Sequence, residues 1–240
     1  MLKEAINRIL ELDKPNEIEY AGRKFVDKDM SPLPRHTHPY HLSTQTLSSI
    51  ADYINFGTDE CFLDKSRFII HIADYNQVCL FKELDEDGGR DCLLDVACRK
   101  NGFPFGRFMP LEQFNINLQS CFEQDENTAG LLQFIASVRD DTSVTQEDDG
   151  VTQTVTARQG ISMVAKKKTP NPVTLRPFRT FSEAEQPASS FVFRMHKEDD
   201  SVTAALFEAD GEAWKYVAIQ NIRNYLEEAV EGIDSVIILA

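Results

Sequence analysis

Short apolar segments separated by turn-forming residues constrain the fold of this 240-residue chain more than any other feature. Phe68–Ala73 and Val78–Glu83 are strand-like and enclose Asp-Tyr-Asn-Gln, in which Asp and Asn favour a tight turn. A third strand is predicted at Asp91–Arg99. Strands joined by short turns pair antiparallel, so this region predicts a meander. Further strands are predicted at Val173–Leu175, Ser190–Met195, Thr203–Glu208 and Val236–Leu239.

Helical periodicity marks several segments between the predicted strands. The longest is Glu212–Val230, whose apolar stripe begins with Trp214, Val217 and Ala218. Because the strands cluster with hairpin signals instead of alternating strictly with helices, we expect an α+β fold with an antiparallel sheet and packed helices. Three other helices are predicted at Leu2–Leu12, Pro110–Phe122 and Thr128–Val138. A fourth is capped by Ser43 or Thr44 and runs to Phe56.

Two features are expected to extend from this core. Thr145–Glu147 and Val151–Arg158 flank Asp-Asp-Gly, a strong turn signal, and predict a long projecting β-hairpin. An isolated hairpin is marginal in water, so its polar faces suggest that it projects or pairs with another subunit. Met30–Tyr40 contains three prolines and predicts an extended proline-rich N-terminal arm. We expect a single α+β domain over residues 1–240, in which residues 1–42 hold a helix, a small hairpin and this arm.

The composition excludes several classes of protein. Acidic residues outnumber basic ones by 39 to 25, and a net charge of −14 repels nucleic acid on average. The acids are nevertheless too sparse to imitate the charge density of DNA. No apolar run approaches the roughly 20 residues that cross a bilayer, and the first residues lack the apolar region of a signal peptide. Five cysteines without metal-ligand spacing indicate free thiols in a reducing cytoplasm, away from any membrane.

The stretch Arg158–Phe181 is basic and contains no acid, which is unusual in so acidic a chain. One explanation is an anionic ligand, which could be a nucleic acid, a nucleotide or a phosphate, held by arginine while Phe178 or Phe181 stacks on a base. The other is an acidic neighbouring subunit, for example the turn Glu147–Asp149 of a second copy. The candidate binding residues are Arg158, Lys166, Lys167, Lys168, Arg176, Phe178 and Arg179.

Candidate metal ligands occur at His36, His38 and His41. Two histidines at i and i+2 on an extended chain point the same way, and a third could complete a site. The neighbouring prolines are equally typical of an arm that packs on a surface. We find no zinc-protease motif, phosphate-binding loop or nucleophile–base pattern. The sequence therefore predicts no catalytic residue, no cofactor and a protein that works by binding.

Several motifs resemble one known family. They are Asn171–Phe181 (NPVTLRPFRTF), followed by Glu-Gln-Pro at 185–187 and Phe191–Arg194, and also Asp149–Ile161 (DGVTQTVTARQGI) and Ala205–Trp214 (ALFEADGEAW). From about residue 25 onward the chain resembles the YfdQ-like phage and prophage proteins, a domain of unknown function. The resemblance implies a phage gene among early and recombination genes, and it implies no reaction and no catalytic residue.

These observations predict a bacteriophage or prophage accessory protein that self-associates as a homo-oligomer. It would act as a binding or scaffold protein in the cytoplasm of the infected host. Two alternatives stay open. One is an accessory of phage recombination that binds single-stranded nucleic acid. The other is a counter-defence protein that sequesters a nucleotide signal or a host defence protein.

Overall fold

The structure is a computed structural model that divides the chain into two compact units, Met1–His38 and Pro39–Ala240, and each is described by itself. It describes residues 2–12, 16–20, 23–26, 40–56, 67–85, 88–100, 102–139, 143–148, 153–159, 162–168, 171–198 and 201–240. Within these ranges the helices are α1 (Leu2–Leu12), α2 (Ser48–Phe56), α3 (Leu111–Cys121), α4 (Glu126–Arg139) and α5 (Ala213–Ala229). The strands are β1 (Glu17–Tyr20), β2 (Arg23–Val26), β3 (Leu42–Thr44), β4 (Phe68–Asp74), β5 (Gln77–Lys82), β6 (Cys92–Ala97), β7 (Met109–Pro110), β8 (Ser143–Asp148), β9 (Gln153–Gln159), β10 (Ser162–Lys168), β11 (Val173–Leu175), β12 (Ser189–Glu198), β13 (Ser201–Glu208) and β14 (Val236–Leu239).

The N-terminal unit contains α1 and an antiparallel pair of strands. β1 and β2 pair with Glu17 opposite Val26 and Tyr20 opposite Arg23. The predicted helix and small hairpin are therefore confirmed. Most of the predicted arm, including His36 and His38, lies outside the described residues, so the arm stays a prediction.

A five-stranded sheet forms one layer of the second unit, in the order β14-β4-β5-β6-β3. β4, β5 and β6 form the predicted antiparallel meander, because the turn at Tyr75 and Asn76 reverses the chain. The outer strands β14 and β3 pair parallel with β4 and β6. Alternate residues of β4 are buried, as expected for a sheet with one covered face. That face packs against residues of α2 and α5, including Ile50, Ile222 and Leu226.

A four-stranded antiparallel sheet forms the other layer, in the order β11-β12-β13-β7. Its strands contribute Phe191 and Phe193 to a second apolar cluster, which α3 and α4 complete with Leu118 and Leu131. α3 follows Pro110, whose missing N–H costs nothing where a helix begins. The described residues of the second unit therefore form two apolar cores, one under the five-stranded sheet and one under the four-stranded sheet.

β8, β9 and β10 form a separate three-stranded antiparallel sheet, in the order β10-β9-β8. β8 and β9 pair from Ser143 opposite Arg158 to Asp148 opposite Gln153, which is the pairing of the predicted hairpin. The third strand, β10, pairs with β9 from Ser162 opposite Gln159 to Lys168 opposite Thr154. Whether the hairpin projects stays a prediction.

The α+β class is confirmed, and the predicted helices and most predicted strands are present. The expectation of an antiparallel sheet needs one addition, because β3 and β14 join the five-stranded sheet in parallel. The predicted cap at Ser43 or Thr44 is wrong, since both residues lie in β3 and α2 begins at Ser48. Val217, predicted on the buried stripe of α5, is 43% exposed.

Candidate functional site

The candidate binding residues of the basic stretch fall into two groups. Arg158 lies in β9, and Lys166–Lys168 end β10. Their side chains lie outside the described part of the structure, so their contact with an anionic partner or a second subunit stays a prediction. Arg176, Phe178 and Arg179 lie in residues 176–188, which join β11 to β12 and are called here the connecting segment.

The start of the connecting segment is bonded to the end of α3. The backbone N–H of Glu123 donates to the carbonyl of Arg176, and the N–H of Phe178 donates to the carbonyl of Cys121, both at 2.8 Å. Between them Phe122 and Pro177 form an antiparallel bridge. This pairing fixes the backbone of Phe178, so the position of its ring depends on the end of α3.

The middle of the connecting segment winds around the buried side chain of Gln186. The amide oxygen of Gln186 accepts from the backbone N–H groups of Arg179 and Thr180, at 3.0 and 3.3 Å. Its amide nitrogen donates to the carbonyls of Phe181 and Ala184, at 2.8 and 3.2 Å. One side chain thus bonds to four backbone groups and holds the loop around it.

Arg179 is buried among three aromatic rings. Its side chain is 7% exposed, and its guanidinium carbon lies 4.6 Å from the ring centre of Phe105, 5.2 Å from Phe191 and 4.4 Å from Trp214. An Nη atom lies 2.9 Å from a carboxylate oxygen of Glu208. Burial lowers the pKa of Arg179, while the neighbouring carboxylates act in the opposite direction. The rings and the carboxylate together offset the cost of removing the guanidinium from water.

Arg176 is paired with acids of its own chain. Its guanidinium lies 2.6 Å from a carboxylate oxygen of Glu185 and 4.0 Å from one of Glu123. The hydrogen bond to Glu185 raises the pKa of Arg176. Arg176 and Arg179, the arginines of the basic stretch whose side chains the structure describes, are therefore paired with acids within the molecule. Phe181, one of the two rings expected to stack on a base, is 1% exposed and belongs to the core.

Phe178 lines a cavity of about 400 Å³, called here the Phe178 cleft. The ammonium group of Lys100 lies 5.4 Å from the centre of the Phe178 ring. Ala184 adds to the apolar surface of the cleft, and Glu123, Ser120 and Ser182 supply polar groups. The cleft therefore combines one half-buried aromatic ring with a cation, a carboxylate and two hydroxyls.

Sequence reasoning found Phe178 and missed the remaining residues of this cleft. Lys100 follows β6, Ser120 lies in the last turn of α3 and Glu123 just after it, and Ser182 lies in the connecting segment. No spacing rule links these positions, because tertiary packing brings them together. The signal in the sequence was the single aromatic residue between two arginines.

The described cysteines are free thiols, and all four are half-buried. Cys79 lies on β5 with its sulfur 3.6 Å from a carboxylate oxygen of Asp95. Burial, followed by the charges of Cys92 and Asp95, raises the pKa of Cys79 to about 12. Burial also raises the pKa of Cys92 and Cys98. These thiols stay protonated at neutral pH and are poor nucleophiles.

His41 is exposed and is the one histidine of the candidate metal cluster that the structure describes. Among the described residues, no three His, Cys, Asp or Glu side chains are grouped so that they could hold a metal ion. Metal binding through His36, His38 and His41 is therefore not tested by these residues.

The second face of the five-stranded sheet is apolar near β14. Ile237 and Leu239 of β14 are 44% and 49% exposed. In register beside them on β4 lie Ile69 and His71, and the His71 ring lies 6.3 Å from that of Phe81 on β5. In the part of the chain that the structure describes, β14 pairs with β4 on one side and with no strand on the other.

Comparison with known proteins adds no relative. No protein-family model matches the chain, and neither a curated protein nor a solved structure matches it. The resemblance to YfdQ-like proteins therefore stays a prediction. Across the described residues, no helix has both the length and the apolar character needed to cross a membrane.

Proposed function

We propose that this protein works by binding and that its first partner is a second copy of itself. The observation that carries the proposal is the unpaired edge of β14, which adjoins an apolar sheet face. An edge strand presents unpaired backbone N–H and C=O groups and is a template for another strand. The protein would be a homo-oligomeric binding or scaffold protein rather than an enzyme.

The composition of β14 supports this pairing. Its sequence is Val-Ile-Ile-Leu, and it contains none of the charged residues, prolines or bulges that protect exposed edges in monomeric proteins. A chain of net charge −14 repels its own copies at long range. An uncharged contact surface is therefore where association would meet the least electrostatic opposition.

A second copy is the partner of choice because β14 is self-complementary. Two β14 strands can pair antiparallel about a two-fold axis and join both five-stranded sheets into one. The same operation brings the exposed Ile237 and Leu239 of each copy beside those of the other. One contact would then bury the exposed apolar side chains and pair the free backbone N–H and C=O groups of β14.

From the resemblance to YfdQ-like proteins we also propose that the protein is a phage accessory acting in the cytoplasm of the infected host. The alternatives are binding of single-stranded nucleic acid in recombination, and counter-defence by sequestering a nucleotide or a host defence protein. Arg176 and Arg179 contribute little to a surface that binds anions, because both are paired with acids. Arg158 on β9 and Lys166–Lys168 on the edge strand β10 are the candidate cations that remain to support these alternatives.

Light scattering coupled to size exclusion tests the self-association. We expect a mass of at least twice 27.2 kDa for the natural chain. Ile237→Lys places a charge on the edge strand and is expected to return the mass to 27.2 kDa. Ile116→Lys, at an isoleucine of α3 that is 57% exposed, is the matched control and should leave the oligomer intact.

Two outcomes would contradict the proposal in different ways. A natural chain that stays at 27.2 kDa at every concentration would remove self-association itself. An oligomer that survives Ile237→Lys but dissociates with Ile116→Lys would show that the contact lies on the helical layer and not at β14.

A further inference from the structure

We propose that the Phe178 cleft is a binding site for a small aromatic zwitterion, a molecule with one flat ring, a carboxylate and an ammonium group. This inference is independent of self-association through β14. It rests on the volume of the cleft, the fixed position of one ring and the arrangement of opposite charges around that ring.

The size and rigidity of the cleft suit a ligand with one ring. Its volume of about 400 Å³ lies near the lower end of the range of small-molecule sites, which is roughly 300–1,000 Å³. The Phe178 backbone is held by the hydrogen bond to Cys121, and the neighbouring Arg179 is fixed in its aromatic cage. A ring that is already positioned loses little entropy when a second ring stacks on it.

The positive end of the cleft is Lys100. Its ammonium group faces the Phe178 ring, and no ion pair joins it to another described residue. A ligand ring that covers Phe178 would displace this cation–π contact, and the ligand carboxylate would replace it with an ion pair. A charge-assisted hydrogen bond is stronger than a cation–π contact at an exposed site, so this exchange favours the ligand.

The negative end is Glu123. Its carboxylate lies 4.0 Å from Arg176, whereas Arg176 holds Glu185 at 2.6 Å. Glu123 is therefore the weaker partner of that arginine and can accept a hydrogen bond from a ligand ammonium. The same carboxylate repels a phosphate dianion, which makes a nucleotide the poorer occupant of this cleft. Ser120 and Ser182 can complete the hydrogen bonding of either polar group.

Ligand-observed saturation-transfer NMR with a small set of probes tests the proposal. L-phenylalanine carries all three groups, 3-phenylpropionate lacks the ammonium, 2-phenylethylamine lacks the carboxylate, and AMP represents nucleotides. We expect L-phenylalanine to bind, and each truncated probe to bind about tenfold or more weakly, since one charged contact is lost. AMP should bind more weakly than L-phenylalanine.

Variants locate the binding. Phe178→Leu keeps an apolar side chain without the stacking face, and Lys100→Gln removes the cation, so each should weaken L-phenylalanine binding about tenfold. Lys215→Gln is the matched control, because Lys215 lies 5.7 Å from the ring centre of Tyr75, outside the cleft. Thermal melts of each variant verify that it is folded.

Several results would overturn the inference. The first is an absence of saturation transfer from the natural chain to L-phenylalanine at about 10 mM ligand, because the dissociation constant would then be too high for a specific site. AMP could bind more tightly than L-phenylalanine, which would assign the cleft to nucleotides. Lys215→Gln could weaken binding as much as Lys100→Gln, which would place the ligand elsewhere.

Discussion

A single arginine shows how this acidic chain uses its positive charges. Arg179 lies in a stretch without acids, yet it contacts Glu208 and three aromatic rings contributed by distant parts of the sequence. The planar guanidinium can stack on rings and pair with a carboxylate at the same time, which an ammonium group does less well. Local charge in the sequence therefore indicated an external partner, whereas the partner of this residue is internal.

We expect Arg179→Ala to lower the free energy of unfolding by about 3 kcal/mol. This is the low end for breaking a buried pair, because the Glu208 side chain remains 37% exposed and can be hydrated. Urea unfolding followed by circular dichroism measures the change. The control is Arg223→Ala, which removes a surface ion pair with Glu227 and should cost about 0.5 kcal/mol or less. Equal losses for the two variants would show that the aromatic cage adds no stability.

At the scale of elements, the sequence predicted local structure and pairing between neighbouring strands well, and pairing between distant strands poorly. α3 and β11 were placed within a residue of their observed bounds, because periodicity and turn chemistry are local. β3 was missed, since three residues become a strand through pairing with β6 far along the chain. β10 was missed because its lysine run hides the alternation typical of strands.

The turn between α5 and β14 depends on one glycine. Gly232 has φ of +83°, a left-handed conformation that disfavours any residue with a Cβ atom. No atom lies within 4 Å of a Cβ added at Gly232 or at Gly102, and Gly102 has an ordinary φ. The two positions therefore differ in backbone conformation and not in available space.

We expect Gly232→Ala to destabilise the protein by about 1–2 kcal/mol through backbone strain alone. Gly102→Ala should be neutral or slightly stabilising, because alanine restricts the unfolded chain. Thermal denaturation of both variants under the same conditions gives the comparison. A neutral Gly232→Ala would mean that this turn adopts another conformation in solution.

At the scale of the whole second unit, the candidate site depends on how its two layers meet. Phe178 and Lys100 form one cleft because the connecting segment passes from the four-stranded sheet to the core of the five-stranded sheet. The hydroxyl of Thr180 donates to the carbonyl of Tyr75 at 2.5 Å, at the turn between β4 and β5. The aromatic and charged residues of the site can be read from the sequence. Their proximity results from packing between the two layers, and no local sequence pattern predicts that packing.

The sole tryptophan makes this coupling measurable. Trp214 lies on α5, the helix whose Ile222 and Leu226 enter the core of the five-stranded sheet. Its ring stacks on Arg179, and its ring centre lies 4.8 Å from that of Tyr75. Leu118 is fully buried in the core under the four-stranded sheet. Leu118→Ala leaves a cavity there and should cost about 2–5 kcal/mol. If the Arg179 cage and the connecting segment join the layers into one cooperative unit, the unfolding midpoint reported by Trp214 fluorescence falls together with that from circular dichroism. A fluorescence midpoint that stays at its natural value while the circular dichroism transition shifts would show that the layers unfold separately.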